Sequence, residues 1–209
     1  KENRMQTNVH IRLIITRGLK STPYQHPSAN VGSPHIIIIP EYKEPNKEIY
    51  SKGINLVSVS TKRSVPEIQN PQINSLSKFN CIQACIEAKN KGGDEGLMQD
   101  INGNISTCNS TNFFMVKNNE VWTSRGQYCL NGITRGKIIE ICKENDIIIL
   151  EKNFTIEEVY SCEEAFVTGT FSGVIPVHRI DEYIIDDNSK AKILHQLYKH
   201  KIETLYSNK

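Results

Sequence analysis

Charge of one sign is what this 209-residue chain has least of. Its 25 Lys and Arg stand against 23 Asp and Glu, a formal net charge of +2. So even a balance gives no reason to expect nucleic acid or an anionic membrane as a partner. The Lys/His-rich stretch from Lys190 to Lys201 reads as the solvated face of a helix. Long hydrophobic runs are missing too. Ile36 to Ile39 and Ile147 to Leu150 are far shorter than the roughly 20 residues of a membrane span, and with Pro40, Asp146 and Glu151 beside them they read as buried strands. The six cysteines, at 81, 85, 108, 129, 142 and 162, include no CxxC pair. That spacing speaks against structural zinc and disulfides, so no metal is expected, and it reads as reduced, mostly buried thiols in a cytoplasmic protein. No secretory signal is visible. The chain opens on a charged stretch without an initiator methionine, which reads as a fragment, a processed form or an incomplete gene. Internal repeats and low-complexity tracts are absent. Hydrophobic content of 38% and charged content of 23% are those of an ordinary globular protein.

The patterns that are present alternate between strand and helix. His10 to Thr16 and Ile54 to Ser60 are strand-like, and residues 19–33 form a loop bearing Pro, Gly and Ser. The charged, proline-bearing segment Glu41 to Lys47 is the candidate linker, giving domains at 1–46 and 47–209. Leu76, Phe79, Ile82, Ile86 and Lys89 recur at three- and four-residue spacing, which marks a helix over Ser75 to Lys91 that Gly92-Gly93 ends. Asn102-Gly103 and Asn118-Asn119 turn two hairpins. Helices are expected over Arg135 to Asn145, after the capping box at Thr155 to Glu158, and over 189–206.

Two turns carry a chemical signal. Asn131-Gly132-Ile133-Thr134-Arg135-Gly136 runs straight into a helix, and Thr168-Gly169-Thr170 ends the apolar run Ala165-Phe166-Val167. A polar turn opening a helix presents free backbone N–H groups and a hydroxyl at the positive end of the helix dipole, where phosphate is held.

The order of these signals resembles class IV pyridoxal-phosphate aminotransferases, the group of D-amino-acid aminotransferase, branched-chain aminotransferase and aminodeoxychorismate lyase. The strings that carry it are IITRG near the start, Asp94-Glu95 after a long helix, DINGNIS followed by NSTNFF, NGITRG, and AFVTGTFSGVIPV. The resemblance covers roughly residues 8–185. It implies an α+β protein of fold type IV: the remainder of a small α/β domain at 1–46, then a larger β-barrel-like, cofactor-binding domain at 47–209. It also implies pyridoxal phosphate as cofactor, a small amino acid and a 2-oxo acid as substrates, and a homodimer. By position, Ile133 and Thr134 would bind the cofactor phosphate from one side and Thr170 from the other. Arg17 and His26 lie in a loop that resembles the family's substrate-carboxylate region.

The chain departs from that family where the chemistry sits. The family forms a Schiff base on a lysine, and the register anchored by Pro71 and Asp94-Glu95 puts Asn74 on that lysine and Gln72 on a nearby arginine. Thr107-Cys108 stands where the family has a carboxylate that holds the pyridine nitrogen protonated, so the resemblance implies that Thr107 would face that nitrogen. In one reading Lys78 is the displaced Schiff-base lysine, one helical turn from Asn74 and about 6 Å along the axis. In the other, catalysis is gone and the fold binds a phosphorylated ligand or serves as a scaffold. Cys108 reads as a small packing residue, His178 as a surface one, and Trp122 and Tyr128 as core.

Overall fold

The computed structural model describes residues 3–207. The chain divides into two compact units, Lys1–Asn46 and Lys47–Lys209. In the first unit, strands β1 (Val9–Ile15) and β4 (Ile36–Tyr42) pair antiparallel, with Ile11 opposite Pro40, Leu13 opposite Ile38 and Ile15 opposite Ile36. Between them β2 (Leu19–Lys20) and β3 (Asn30–Val31) make a short second ribbon within the segment expected to be loop. The expectation of a buried strand fails for Ile36 to Ile39, which are 42–67% exposed. A two-stranded ribbon supplies no covering layer of its own, so apolar composition alone does not bury it. Nor does Pro40 stop the strand: it sits within β4, a tolerable place where the ribbon's outer edge needs no N–H.

The second unit runs α1 (Ile49–Lys52), β5 (Ile54–Ser58), α2 (Phe79–Asn90), β6 (Glu95–Gln99), β7 (Ile105–Cys108), β8 (Asn112–Lys117), β9 (Glu120–Thr123), α3 (Ile133–Glu144), β10 (Ile149–Glu151), α4 (Ile156–Tyr160), β11 (Glu164–Gly169), β12 (Gly173–Ile180), β13 (Tyr183–Ile184) and α5 (Ser189–Ser207). Its strands form one sheet in the order β10-β9-β8-β11-β12-β5-β6-β7, with β13 on β12. The mixed sheet curls into a half-barrel. Alternation along β8 shows why its run of apolar residues is buried on both faces. Phe113 and Met115 pack with Leu56, Val167 and Phe154 on one side, while Phe114 and Val116 pack with Phe166 and with Ile138 and Leu194 of α3 and α5 on the other. Asn118 and Asn119 both take positive φ, 52° and 63°, the conformation a two-residue hairpin requires. Ile147 to Leu150 proves only half right. The strand is at the sheet's edge, pairing β9 alone, and leaves Ile148 56% exposed.

Helix α2 corrects two expectations. It begins at Phe79 rather than Ser75, with Lys78 as its N-cap, so Asn74 and Lys78 do not share a helical face. Its large apolar stripe also points outward, with Phe79 74%, Ile82 57% and Ile86 56% exposed. The face against the sheet carries Ala84 and Ala88, packed with Val57, Val59 and Met98. Close approach is the reason. A Cβ at Gly96 of β6 would collide with the Ala84 carbonyl and the Val59 side chain, so only small residues fit there.

Glu87 ties α2 to the chain leaving β5. It accepts from the Ser60 amide (2.8 Å) and hydroxyl (3.0 Å) and pairs with Lys91 (2.9 Å). Burial alone would raise its carboxyl, but the Ser60 amide and the Lys91 ammonium outweigh that and bring it down to about 2. A depressed carboxyl contributes stability above its unfolded value of about 4.3, and the contribution is lost as pH falls through about 2. Glu87→Gln is therefore expected to lower Tm by a few degrees at neutral pH and by less in acid. A wild-type minus variant difference that stays constant down to strongly acidic pH would contradict this.

Candidate active site

The start of α3 leaves its first-turn backbone amides open. Its N-cap, Gly132 (φ −61°, ψ 146°), supplies no side-chain cap, so the first-turn amides of Ile133, Thr134 and Arg135 meet no intrahelical carbonyl and no capping group. Glycine is needed there because a Cβ would strike Asn112 Oδ1, while Asn112 Nδ2 donates to the Leu130 carbonyl at 2.9 Å and fixes the approach to the helix. Ile133 is 77% exposed, and Thr134 is buried with its hydroxyl 3.3 Å from that of Tyr198 in α5. Arg135 serves the scaffold: its guanidinium donates to the Ser124 carbonyl (2.6 Å) and Glu151 (2.8 Å), binding α3 to the sheet. On β11, Thr168 lies opposite Asn112 in the sheet register. Its hydroxyl is buried without a hydrogen-bond partner. Thr170 is exposed on the β11–β12 turn. Sequence reading chose Thr170 and passed over Thr168 and Tyr198. The small-polar string Thr-Gly-Thr held the signal for Thr168, and none existed for Tyr198.

Asn112 and Leu130 also wall a cavity of about 100 Å³. Asn74, Lys78, Asn80 and Cys81 line its rim, and Arg63, Thr107 and Cys108 line it from β7 and the loop after β5. Residues 74–78 are not helical, yet the Lys78 amine turns back and donates to Asn74 Oδ1 at 2.8 Å. A flexible four-carbon stem makes that reach easy. The Thr107 hydroxyl donates to the Thr111 carbonyl at 2.7 Å, which leaves its lone pairs as a neutral acceptor. None of the residues lining the cavity is Asp or Glu. Glu95 stands behind the wall, holding Ser110 (2.7 Å) and Thr111 (2.8 Å) in place, and burial raises its carboxyl above the ordinary range. Burial, with Glu95 near, pushes the Cys108 thiol well above its usual value, as suits a packing residue.

Arg63 went unnoticed in the sequence because it sits in the polar string TKRS, which looks like surface. It is 9% exposed. Its Nε donates to the Tyr128 carbonyl at 3.1 Å and its Nη1 to Cys81 Sγ at 2.7 Å. Arg17 and His26 belong to the first unit. Arg17 bonds Asn30 at 2.9 Å, and His26 Nδ1 accepts from the Ser28 amide at 3.1 Å, capping a short turn. His178 is exposed, Trp122 is buried in the core and Tyr128 is half-buried. All six cysteines are free. Among the described residues no group of His, Cys, Asp or Glu is placed to hold a metal ion, and no helix is long and apolar enough to cross a membrane.

Residues 1–180 match the amino-transferase class IV family. Over 197 residues the chain is 34% identical to branched-chain-amino-acid aminotransferase-like protein 2 of Arabidopsis thaliana, covering 93% of this chain and 35% of that protein. It is 31% identical to a putative branched-chain-amino-acid aminotransferase of Methanocaldococcus jannaschii, covering 91% of this chain and 65% of that one. The chain thus spans between a third and two thirds of these relatives' lengths. Among solved structures it is similar to the branched-chain aminotransferase of Thermoproteus uzoniensis with norvaline (TM-score 0.84, 24% identity, 96% of this chain and 66% of that one). An aminotransferase from Brucella abortus bound to the cofactor PLP gives a TM-score of 0.83 at 26% identity, covering 96% of this chain and 71% of that one.

Proposed function

The chain belongs to the class IV aminotransferase family, and from that premise we propose that it transfers an amino group between a small amino acid and a 2-oxo acid, with Lys78 as the covalent anchor of pyridoxal phosphate. The observation that carries this is the Lys78 amine turned back onto Asn74 at the cavity rim. The residues present suit the cofactor at two of its ends. The uncapped amides of Ile133 and Thr134, with the orphaned Thr168 hydroxyl on β11 and Thr170 on the turn that follows it, offer a donor set for its phosphate. Lys78 offers the amine for its aldehyde. When bound, such a cofactor supplies an electron sink for the substrate's α-carbon. Lys78 is then the group placed to hold and move the α-proton. At the third end Thr107 gives a neutral acceptor rather than a carboxylate, so the sink is weakened and turnover is slow.

Residues 47–209 act in this reading as the cofactor-binding domain and 1–46 as the remainder of the small domain, whose Arg17 and His26 are its candidate substrate-binding residues. The site of action is cytoplasmic. The outward stripe of Phe79, Ile82 and Ile86 supports a homodimer, since exposed apolar patches mark association surfaces. Phe79→Glu with Ile86→Glu is expected to give a folded monomer in light scattering. A wild-type chain that is already monomeric at micromolar concentration would overturn the dimer.

A single-turnover half-reaction tests the activity. Protein loaded with pyridoxal phosphate is mixed with L- and D-amino acids, and the 2-oxo acid product is assayed. Product stoichiometric with protein is expected. Stable cofactor binding without product favours the second reading, a non-catalytic binding or scaffold protein, for which the absence of any carboxylate lining the cavity speaks.

A further inference from the structure

Tyr198 places a hydroxyl where packing calls for none. It lies on the inward stripe of α5 with Ala191 and Leu194, in a cluster whose other buried members, among them Phe114, Ile138, Phe166 and Val174, are hydrophobic. Phenylalanine would fill that space as well, and a buried hydroxyl is unfavourable unless it finds a partner. Its partner is Thr134 Oγ1, 64 positions away in the chain and 3.3 Å away in space. That bond is long for two hydroxyls, which favour about 2.7–2.8 Å, so it adds little to stability. The hydroxyl is therefore explained neither by packing nor by the strength of the bond it makes.

Its position suggests another use. Thr134 is the second residue of α3, in the first turn whose amides have no capping group. Each of the two hydroxyls can donate and accept. A phenol is the better donor of the two, and an alcohol the better acceptor. With Tyr198 donating, Thr134 keeps its own hydrogen for a group outside the pair. Hydrogen bonds in a chain polarise one another, so accepting from Tyr198 makes the Thr134 hydroxyl a stronger donor.

The same side chain also touches the turn that carries Thr170. Gly173, with φ of 69°, ends that turn, and a Cβ there would meet the Tyr198 ring at 3.2 Å. Three residues earlier in α5, His195 Nδ1 donates to the Val174 carbonyl at 3.1 Å, and Val174 lies opposite Thr168 in the sheet. Helix α5 thus holds the β11–β12 turn through His195 and Tyr198, and α3 through Tyr198 alone.

We propose that Tyr198 is a positioning residue for phosphate binding at the start of α3. Its hydroxyl donates to Thr134, fixes that side chain and leaves the Thr134 O–H to meet the phosphate, while its ring seats the turn bearing Thr170. This rests on reading the open α3 amides as the phosphate end of the cofactor site, and adds to it a residue that itself touches no ligand.

Pyridoxamine 5′-phosphate and pyridoxamine test this, because they differ in the phosphate alone and neither needs a lysine to bind. Dissociation constants of both for the full chain are measured by calorimetry. The wild type is expected to bind the phosphorylated form far more tightly. Tyr198→Phe is expected to weaken that form roughly three- to tenfold, the scale of one hydrogen bond, with pyridoxamine binding and Tm unchanged. Thr134→Val should lose at least as much, Tyr198→Phe should have no further effect in that background, and Thr134→Ser should keep the wild-type affinity. Full affinity in Tyr198→Phe, or losses that add in the double variant, would overturn the proposal and leave the phosphate reading standing. A wild type that binds both compounds equally would remove the phosphate reading and this proposal with it. Should Tyr198→Phe not fold, the hydroxyl is structural and the proposal fails.

Discussion

Thr107→Glu is expected to raise the rate of the amino-transfer half-reaction on the order of 10²-fold, the scale of a single well-placed electrostatic group. The argument starts from a hydroxyl that is already committed. Thr107 Oγ1 donates to the Thr111 carbonyl at 2.7 Å and receives only a long contact from Asn112 at 3.5 Å. A neutral oxygen gives a ring nitrogen little reason to stay protonated, whereas a carboxylate does, and a protonated ring is the better electron sink. Thr107 is 4% exposed. A glutamate there would ordinarily be unfavourable, but Arg63 lines the same cavity with no carboxylate partner and can compensate the new charge. The gain should appear in kcat, because the ring nitrogen matters more to the transition state than to binding. Unchanged kcat with cofactor still bound would contradict the assignment of Thr107.

Lys78→Met should abolish the half-reaction, a loss of at least about 10²-fold, since in the proposed reading it removes both the covalent anchor and the group that moves the proton. Lys78→Arg keeps the charge but not the nucleophilic amine and should fail equally. That separates chemistry from electrostatics at the rim. Stability should change little in either variant, because Lys78 is exposed and its described bond is to the neighbouring Asn74. Adding Asn74→Lys to Lys78→Met should recover part of the rate, as both positions line one cavity. Full activity in Lys78→Met would end the role given to this lysine.

What the sequence made legible, and what it did not, divides along a physical line. The hairpin at Asn118-Asn119, the capping box at Thr155, the inward face of α3 and the glycine turn into it are local, and local residue chemistry fixes them. The facing of α2 is not local. Phe79, Ile82 and Ile86 have the spacing of a core stripe, yet the helix lies so close to Gly96 that only Ala84 and Ala88 fit inside. The helix start was misplaced for a related reason. Leu76 belongs to the same apolar period, but residues 74–78 follow the cavity rim instead of the helix axis. Ile36 to Ile39 read as core because burial depends on a covering layer, which a strand's own sequence does not reveal. In the site, backbone amides and the threonine hydroxyls were visible through the turn motif. Arg63 was not, because nothing in a short polar loop says that its arginine will turn inward beneath Cys81 and Tyr128.

The central claim is that Lys78 supplies the amine for this cavity, and reductive trapping tests it most directly. The wild-type chain is incubated with pyridoxal phosphate, reduced with borohydride, digested and mapped by mass spectrometry. The account predicts a stoichiometric pyridoxyl group on the peptide that carries Lys78. A chain left unlabelled, or labelled on another lysine, would contradict it.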